Sequence, residues 1–172
     1  MKAGDREKVG PHGLEVTRLG LGGTAFANMY AAITEEESRE VLDAAYAAGV
    51  RYFDTAPLYG AGKSETRLGL ALKDIPRDNY ILASKVGRVL EPVAGEDNDE
   101  GIFDNPPPFK PVFDFSYDGI MRSFEESLKR LGVDRIDILH IHDPDAHWQE
   151  AISGAYPALE RLRGEGVISA VS

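Results

Sequence analysis

Apolar residues along the chain recur with two periods, alternating every second residue in short runs and every three to four residues in longer ones. In Gly13 to Gly22, Leu14, Val16, Leu19 and Leu21 alternate with polar residues, which predicts a hairpin or short strand followed by the first long strand. Gly22-Gly23-Thr24 lets the backbone turn tightly. Thr34-Glu35-Glu36-Glu37 has the form of a capping box, and Val41, Leu42, Ala45 and Ala48 mark one face of a helix that Gly49 ends. Val50 to Phe53 reads as the next strand, delivering Asp54, and Pro57 in the following turn keeps it from continuing. A glycine-rich turn, GAGK, leads into a helix from about Ser64 to Lys73 with Leu68 and Leu72 on one side, and Tyr80 to Lys85 is again β-prone. Ile120, Phe124, Leu128 and Leu131 predict a helix closed by Gly132, followed by a strand from Ile136 to His142 that Asp143-Pro144 stops. A weaker helical region, interrupted by Gly154 and Pro157, ends in Ala158 to Arg163, and Gly166 opens a last strand, Val167 to Val171.

The pattern breaks between Arg88 and Asp114, where no period is sustained and Pro106 to Pro108 stand together. Residues 88–114 therefore read as a long loop, either a lid over a substrate or a decorated surface insertion. The rest alternates strand and helix, which indicates right-handed βαβ units, a parallel sheet and a single domain over 1–172. A doubly wound sheet would usually carry a G-x-G-x-x-G turn after its first strand, and Gly20-Leu21-Gly22-Gly23 lacks that spacing. A (β/α)8 barrel instead concentrates chemistry at the C-terminal ends of its strands, as this chain does.

Composition narrows the function. With 42% hydrophobic and 28% charged residues the chain is ordinary globular material. A formal charge of −10 lacks the basic footprint that nucleic acid or an anionic membrane surface requires. Part of it sits in Glu96, Asp97, Asp99, Glu100 and Asp104, a run that reads as a solvated loop. The absence of cysteine excludes disulfides and thiol catalysis. The first ten residues lack the apolar core of a secretory signal, and no apolar run approaches membrane-spanning length, so the cytoplasm is the expected location.

Alternation places Tyr52 and Asp54 on one face of their strand, Ile81, Ala83 and Lys85 on one face of the next, and Ile138, His140 and His142 on one face of the third. In each set the last member is ionisable or an imidazole. Taken singly, Lys85 reads as a strand-end surface lysine, Asp54 as a turn or cap acid and Tyr59 as a half-buried aromatic. Together they make a candidate site, because parallel neighbours lie about 4.8 Å apart and Tyr59 loops back over the three strand ends. A tyrosine with an ordinary pKa near ~10 exchanges protons poorly at neutral pH, and a nearby ammonium such as Lys85 is expected to favour its phenolate. Asp54 would keep the lysine charged and aimed, and His142 could hydrogen-bond a substrate oxygen. The set suits proton transfer coupled to carbonyl reduction or alcohol oxidation, and since none of its members carries a hydride, a redox cofactor is required. His140, one layer deeper, reads as an interior histidine, and His12 and His147 carry no pattern. A metal site at His140, His142, Asp143 and Asp145 has too few fixed ligands.

GLEVTRLGLGGTAF, GVRYFDTAPLYGAGKSETRLGLAL, SKVGR and LKRLGVDRIDILHIHDP, in this order, resemble the aldo-keto reductase superfamily from about Val9 to Ser172. The resemblance implies an incomplete (β/α)8 TIM barrel of about five βα units, with catalytic Asp54, Tyr59, Lys85 and His142. It implies NAD or NADP at the barrel mouth, with Thr24 and Asp54 near the nicotinamide and its ribose. FDFSYDGIMRSFEESLKRLGVDRIDILHIHDPD and GAYPALERLRGEGVISAVS more narrowly resemble a group that oxidises aldoses such as L-fucose or D-threo-aldoses at C1 to the lactone, or pyridoxal-type hemiacetals. Asp143, directly after His142, fits that group as a hydroxyl acceptor. A full barrel takes about 250 residues, so the chain is expected to be the N-terminal part of a longer enzyme. Two alternatives stand beside this expectation, a reductase of simple aldehydes or ketones and an inactive half-barrel acting as an interaction module.

Overall fold

The computed structural model describes residues 2–94 and 102–172, so Glu96, Asp97, Asp99 and Glu100 of the acidic run lie outside the described residues. A hairpin of β1 (Arg6–Val9) and β2 (Leu14–Thr17) precedes the first parallel strand, β3 (Leu21–Gly22). α1 (Glu35–Ala47) leads to β4 (Tyr52–Asp54), and α2 (Lys63–Leu72) to β5 (Ile81–Val86). A ribbon of β6 (Arg88–Pro92) and β7 (Phe109–Phe113) comes before α3 (Tyr117–Leu131) and β8 (Ile138–Ile141). The short α4 (Trp148–Glu150), a π-helical turn over Ala151–Ala155 and α5 (Tyr156–Gly164) then lead to β9 (Ala170–Val171).

The parallel strands pair in the order β3-β4-β5-β8-β9, so sequence neighbours among them are also neighbours in space. Helices cover one face and the strands turn the other inward, which is the arrangement of an incomplete (β/α)8 barrel. Period-2 alternation sorts the side chains. Phe53, Leu82 and Leu139 point outward and are fully buried with Leu42, Leu68, Leu72, Ile120, Leu131 and Leu159 of the helical layer. Tyr52, Ile81, Ala83, Ile138 and Ala170 point inward, where Leu14 and Val16 of the β1–β2 hairpin pack against them.

Local chemistry sets the helix ends. Thr34 caps α1 by accepting from the Glu37 amide at 3.1 Å, while the Glu37 carboxylate accepts from the Thr34 amide at 2.7 Å. Ser116 accepts from the Gly119 amide at the start of α3, and Gly132 closes that helix at φ +65°. The weaker helical region contains the π-helical turn, and Gly154 lies in it because an added Cβ would sit 2.3 Å from the Phe115 carbonyl oxygen. The last strand pairs only at Ala170 and Val171; Val167 is still held by α5, its amide donating to the Leu162 carbonyl.

Residues 88–114 correct the sequence reading. The two ends of this stretch pair antiparallel from Arg88↔Phe113 to Pro92↔Phe109, so it is a ribbon at its base rather than a loop throughout. The strands are separated by a long proline-containing excursion, which hides the pairing from any short-window period, and Pro111 is tolerated because a two-stranded ribbon has only edges. α3 holds the ribbon down: Ser123 donates to the Arg88 carbonyl, and Arg122 pairs with Glu91 at 2.7 Å. Further along, Met29 bridges Phe103, and Asn28 donates to the Asp104 carbonyl at 3.0 Å, tying this excursion to the loop after β3.

Candidate active site

The parallel register sets Asp54 beside Ala83 and Lys85 beside His140 at the C-terminal ends of β4, β5 and β8. Lys85 Nζ donates to Asp54 Oδ1 at 2.6 Å and to the Thr55 carbonyl at 3.0 Å. The same ammonium lies 5.0 Å from the centroid of the Tyr59 ring. His142, one residue past the β8 ladder, is anchored by its amide to the Val86 carbonyl at 2.9 Å. Its ring meets Tyr59 edge-on, with centroids 5.9 Å apart and planes at 90°. These four side chains line one open cavity of about 370 Å³ together with Tyr52, His140, Ile141, Asp143 and Ser172.

Tyr59 reaches the strand ends through a tight turn after Pro57. Its amide donates to the Ala56 carbonyl, and Gly62 donates to the Pro57 carbonyl at 2.8 Å. Gly60 is required there, since it has φ +60° and an added Cβ would lie 2.9 Å from the Ala27 carbonyl oxygen. Thr24 opens the turn after β3, where the Gly23 amide donates to the Asp54 carbonyl at 2.7 Å. His140, read from the sequence as an interior histidine, is instead half-buried and lines the cavity, with Nε2 3.6 Å from Asp54 Oδ2, and burial lowers its pKa.

Sequence reasoning gave Arg88 no role, yet it stands at the rim. Its Nη2 donates to Asp143 Oδ2 at 2.8 Å, its guanidinium lies 4.0 Å over the Phe113 ring, and its buried Nε has no partner among the described residues. Asp143 is held at φ +48°, a left-handed conformation that an aspartate tolerates better than most residues. The only signal in the sequence was the Gly87-Arg88 step at the end of β5, which is too short to assign a partner.

Burial drives the His142 imidazole down to about 4; Asp143 opposes this, and Lys85 and Arg88 add to it. The ring is therefore neutral at pH 7, and its buried Nδ1 has no partner among the described residues. Between about pH 4 and 6.5 the unfolded chain binds the His142 proton and the folded chain does not, so stability is complete above that window and is lost as pH falls through it. The loss attributable to this group is on the order of 3 kcal/mol. Urea unfolding at pH 7 and pH 4.5 should show this difference shrinking in His142→Asn; an equal pH dependence in both proteins would contradict it.

Residues 18–172 match the family model described as Aldo/keto reductase family. The chain belongs to this family. It is 44% identical to a D-threo-aldose 1-dehydrogenase from Pseudomonas sp. over 165 residues, which is 92% of this chain and 50% of that protein. It is 36% identical to pyridoxal 4-dehydrogenase from Microbacterium luteolum, covering 98% of this chain and 54% of that one. An L-galactose dehydrogenase from Arabidopsis thaliana is 34% identical over 92% of the chain and 44% of its own length. Among solved structures, an aldo-keto reductase from Bacillus halodurans in its holo form superposes with a TM-score of 0.71 at 30% identity, covering 98% of this chain and 50% of the other. The chain thus spans about half the length of the curated relatives it matches. No helix among the described residues of this aldo-keto reductase chain is long and apolar enough to cross a membrane.

Proposed function

We propose that this aldo-keto reductase chain carries the catalytic side chains of an NAD- or NADP-dependent oxidoreductase that oxidises an aldose at C1 to its lactone. L-Fucose and D-threo-aldoses are the expected substrates, with pyridoxal-type hemiacetals as related ones. The observation that carries the reading is the single cavity shared by Tyr59, Lys85, Asp54 and His142. Its donor set moves protons and binds oxygen, and no member of it accepts a hydride, so the chemistry fits a nicotinamide partner. NAD or NADP, when bound, supplies the acceptor for the C1 hydride. Thr24, half-buried at the start of the turn after β3, and Asp54 would hold it.

In the oxidation direction Tyr59 acts as general base and takes the proton of the C1 hydroxyl, while C1 gives up its hydrogen with the bonding electron pair and becomes the lactone carbonyl. The Lys85 ammonium, aimed by Asp54 and the Thr55 carbonyl, faces the negative charge that the phenol oxygen carries in this exchange. Neutral His142 contributes an N–H to the substrate oxygen, which orients it and stabilises charge developing there.

A sugar is favoured over a simple aldehyde by the Arg88–Asp143 pair beside this cavity, which offers both donors and acceptors to neighbouring hydroxyls. The dehydrogenase names of the relatives point the same way. Asp143→Ala is expected to raise KM for the sugar about tenfold with kcat little changed, the signature of lost uniform binding. Supplying the protein with L-fucose or D-threo-aldoses and NAD or NADP, and separately with simple aldehydes and the reduced nucleotides, tests the whole reading. Faster turnover of simple aldehydes would replace it with the reductase alternative.

A further inference from the structure

In the first turn of α2 two polar residues, Ser64 and Glu65, are fully buried. Neither lines the cavity of the candidate active site. Their partners, however, lie on the segments that deliver its side chains. The Ser64 amide donates to the Tyr59 carbonyl at 3.2 Å. Its hydroxyl donates to the Gly23 carbonyl at 2.7 Å and lies 2.8 Å from the Thr55 hydroxyl; because Ser64 has one proton to give, Thr55 is the donor in that second pair. Thr55 in turn accepts from Lys85 through its carbonyl. Glu65 divides its carboxylate: Oε1 accepts from Ser84 Oγ at 2.7 Å, and Oε2 accepts from Arg130 Nε at 2.7 Å. Ser84 stands immediately before Lys85 on β5.

We propose that Ser64 and Glu65 are positioning residues that clamp the Tyr59 turn to the ends of β3, β4 and β5 and so fix the tyrosine relative to Asp54 and Lys85. Apolar residues of similar volume would serve packing at these positions as well or better, because a buried ion pair seldom outperforms an apolar isostere. Hydrogen bonds add direction. They hold the start of α2 against sliding along the strands, and proton transfer depends on that separation. The catalytic consequence rests on the functional reading above; the geometric claim does not.

Ser84→Ala removes one hydroxyl and leaves the Glu65–Arg130 pair in place, and Glu65→Gln keeps the side chain's size. Each is expected to lower kcat about tenfold or more while sugar KM and nucleotide affinity stay within about twofold. The double variant is expected to be no worse than Glu65→Gln alone, because the two changes act through one hydrogen bond. A readout independent of turnover comes from the His142 ring protons, which lie in the ring current of Tyr59. Their NMR signals, assigned by their loss in His142→Asn, should move in Ser84→Ala while those of His12 stay. Moved His142 signals in a protein that oxidises no sugar would support the clamp and remove the functional reading. An unmoved His142 signal, or an unchanged kcat in an active protein, overturns the clamp. Failure of both variants to fold also overturns it, since the pair would then serve the fold.

Discussion

Tyr59→Phe is expected to lower kcat by about 10²–10⁴, the range associated with loss of a positioned acid or base. The change removes only the hydroxyl. The ring that meets His142 edge-on and lies in front of the Lys85 ammonium remains, so packing and nucleotide binding should be preserved. Sugar oxidation followed at the reduced nicotinamide, together with fluorescence titration of the nucleotide, separates the two effects. Retained turnover would mean that another group takes the C1 proton and that the cluster of Tyr59, Lys85, Asp54 and His142 has a different role. A parallel loss of nucleotide binding would mean that the tyrosine shapes the mouth instead.

The largest expected effect on stability comes from Gly69→Ala. Gly69 lies in the middle of α2, where alanine would normally stabilise a helix by roughly 1 kcal/mol. Here the added Cβ would fall 2.2 Å from the carbonyl oxygen, 2.6 Å from the carbonyl carbon and 2.8 Å from the Cα of Leu131, all backbone atoms of the last residue of α3. Backbone cannot rotate away as a side chain can. The clash therefore outweighs the gain in propensity, and overpacking of this kind costs about 1–3 kcal/mol or more. For a chain of this size each kcal/mol corresponds to about 2–4 °C in Tm. Thermal unfolding that left Tm unchanged or raised would show that α2 and α3 separate more freely than their contact suggests.

The strand and helix succession was legible because each element had its own local signal. The Thr34 and Glu37 capping pair forms as read, and Gly132 closes α3 in the left-handed conformation. Alternation grouped Tyr52, Ile81, Ala83 and Ile138 with the strand-end residues, and the structure packs these four together on the inner face, because a side chain's face depends only on its place in the strand. That rule is also why the inward residues at successive strand ends could be read as neighbours once a parallel sheet was inferred. The β6–β7 ribbon was illegible for the opposite reason. Its pairing depends on a return of the chain after a long excursion, and no window of ten or so residues contains both strands.

By itself the sequence determined the order of the parallel strands and their helices, which residues share a strand face, the family resemblance and the residues that gather at the strand ends. All of these follow from local periodicity and short motifs. Only the tertiary structure decided which polar groups meet across distant segments: Arg88 with Asp143, Glu65 with Ser84 and Arg130, and Gly69 with the backbone of Leu131. Those contacts depend on separations set to within a few tenths of an ångström between elements far apart in the chain. Charge, size and spacing in the sequence do not specify such distances; the packing of the helices on the sheet does.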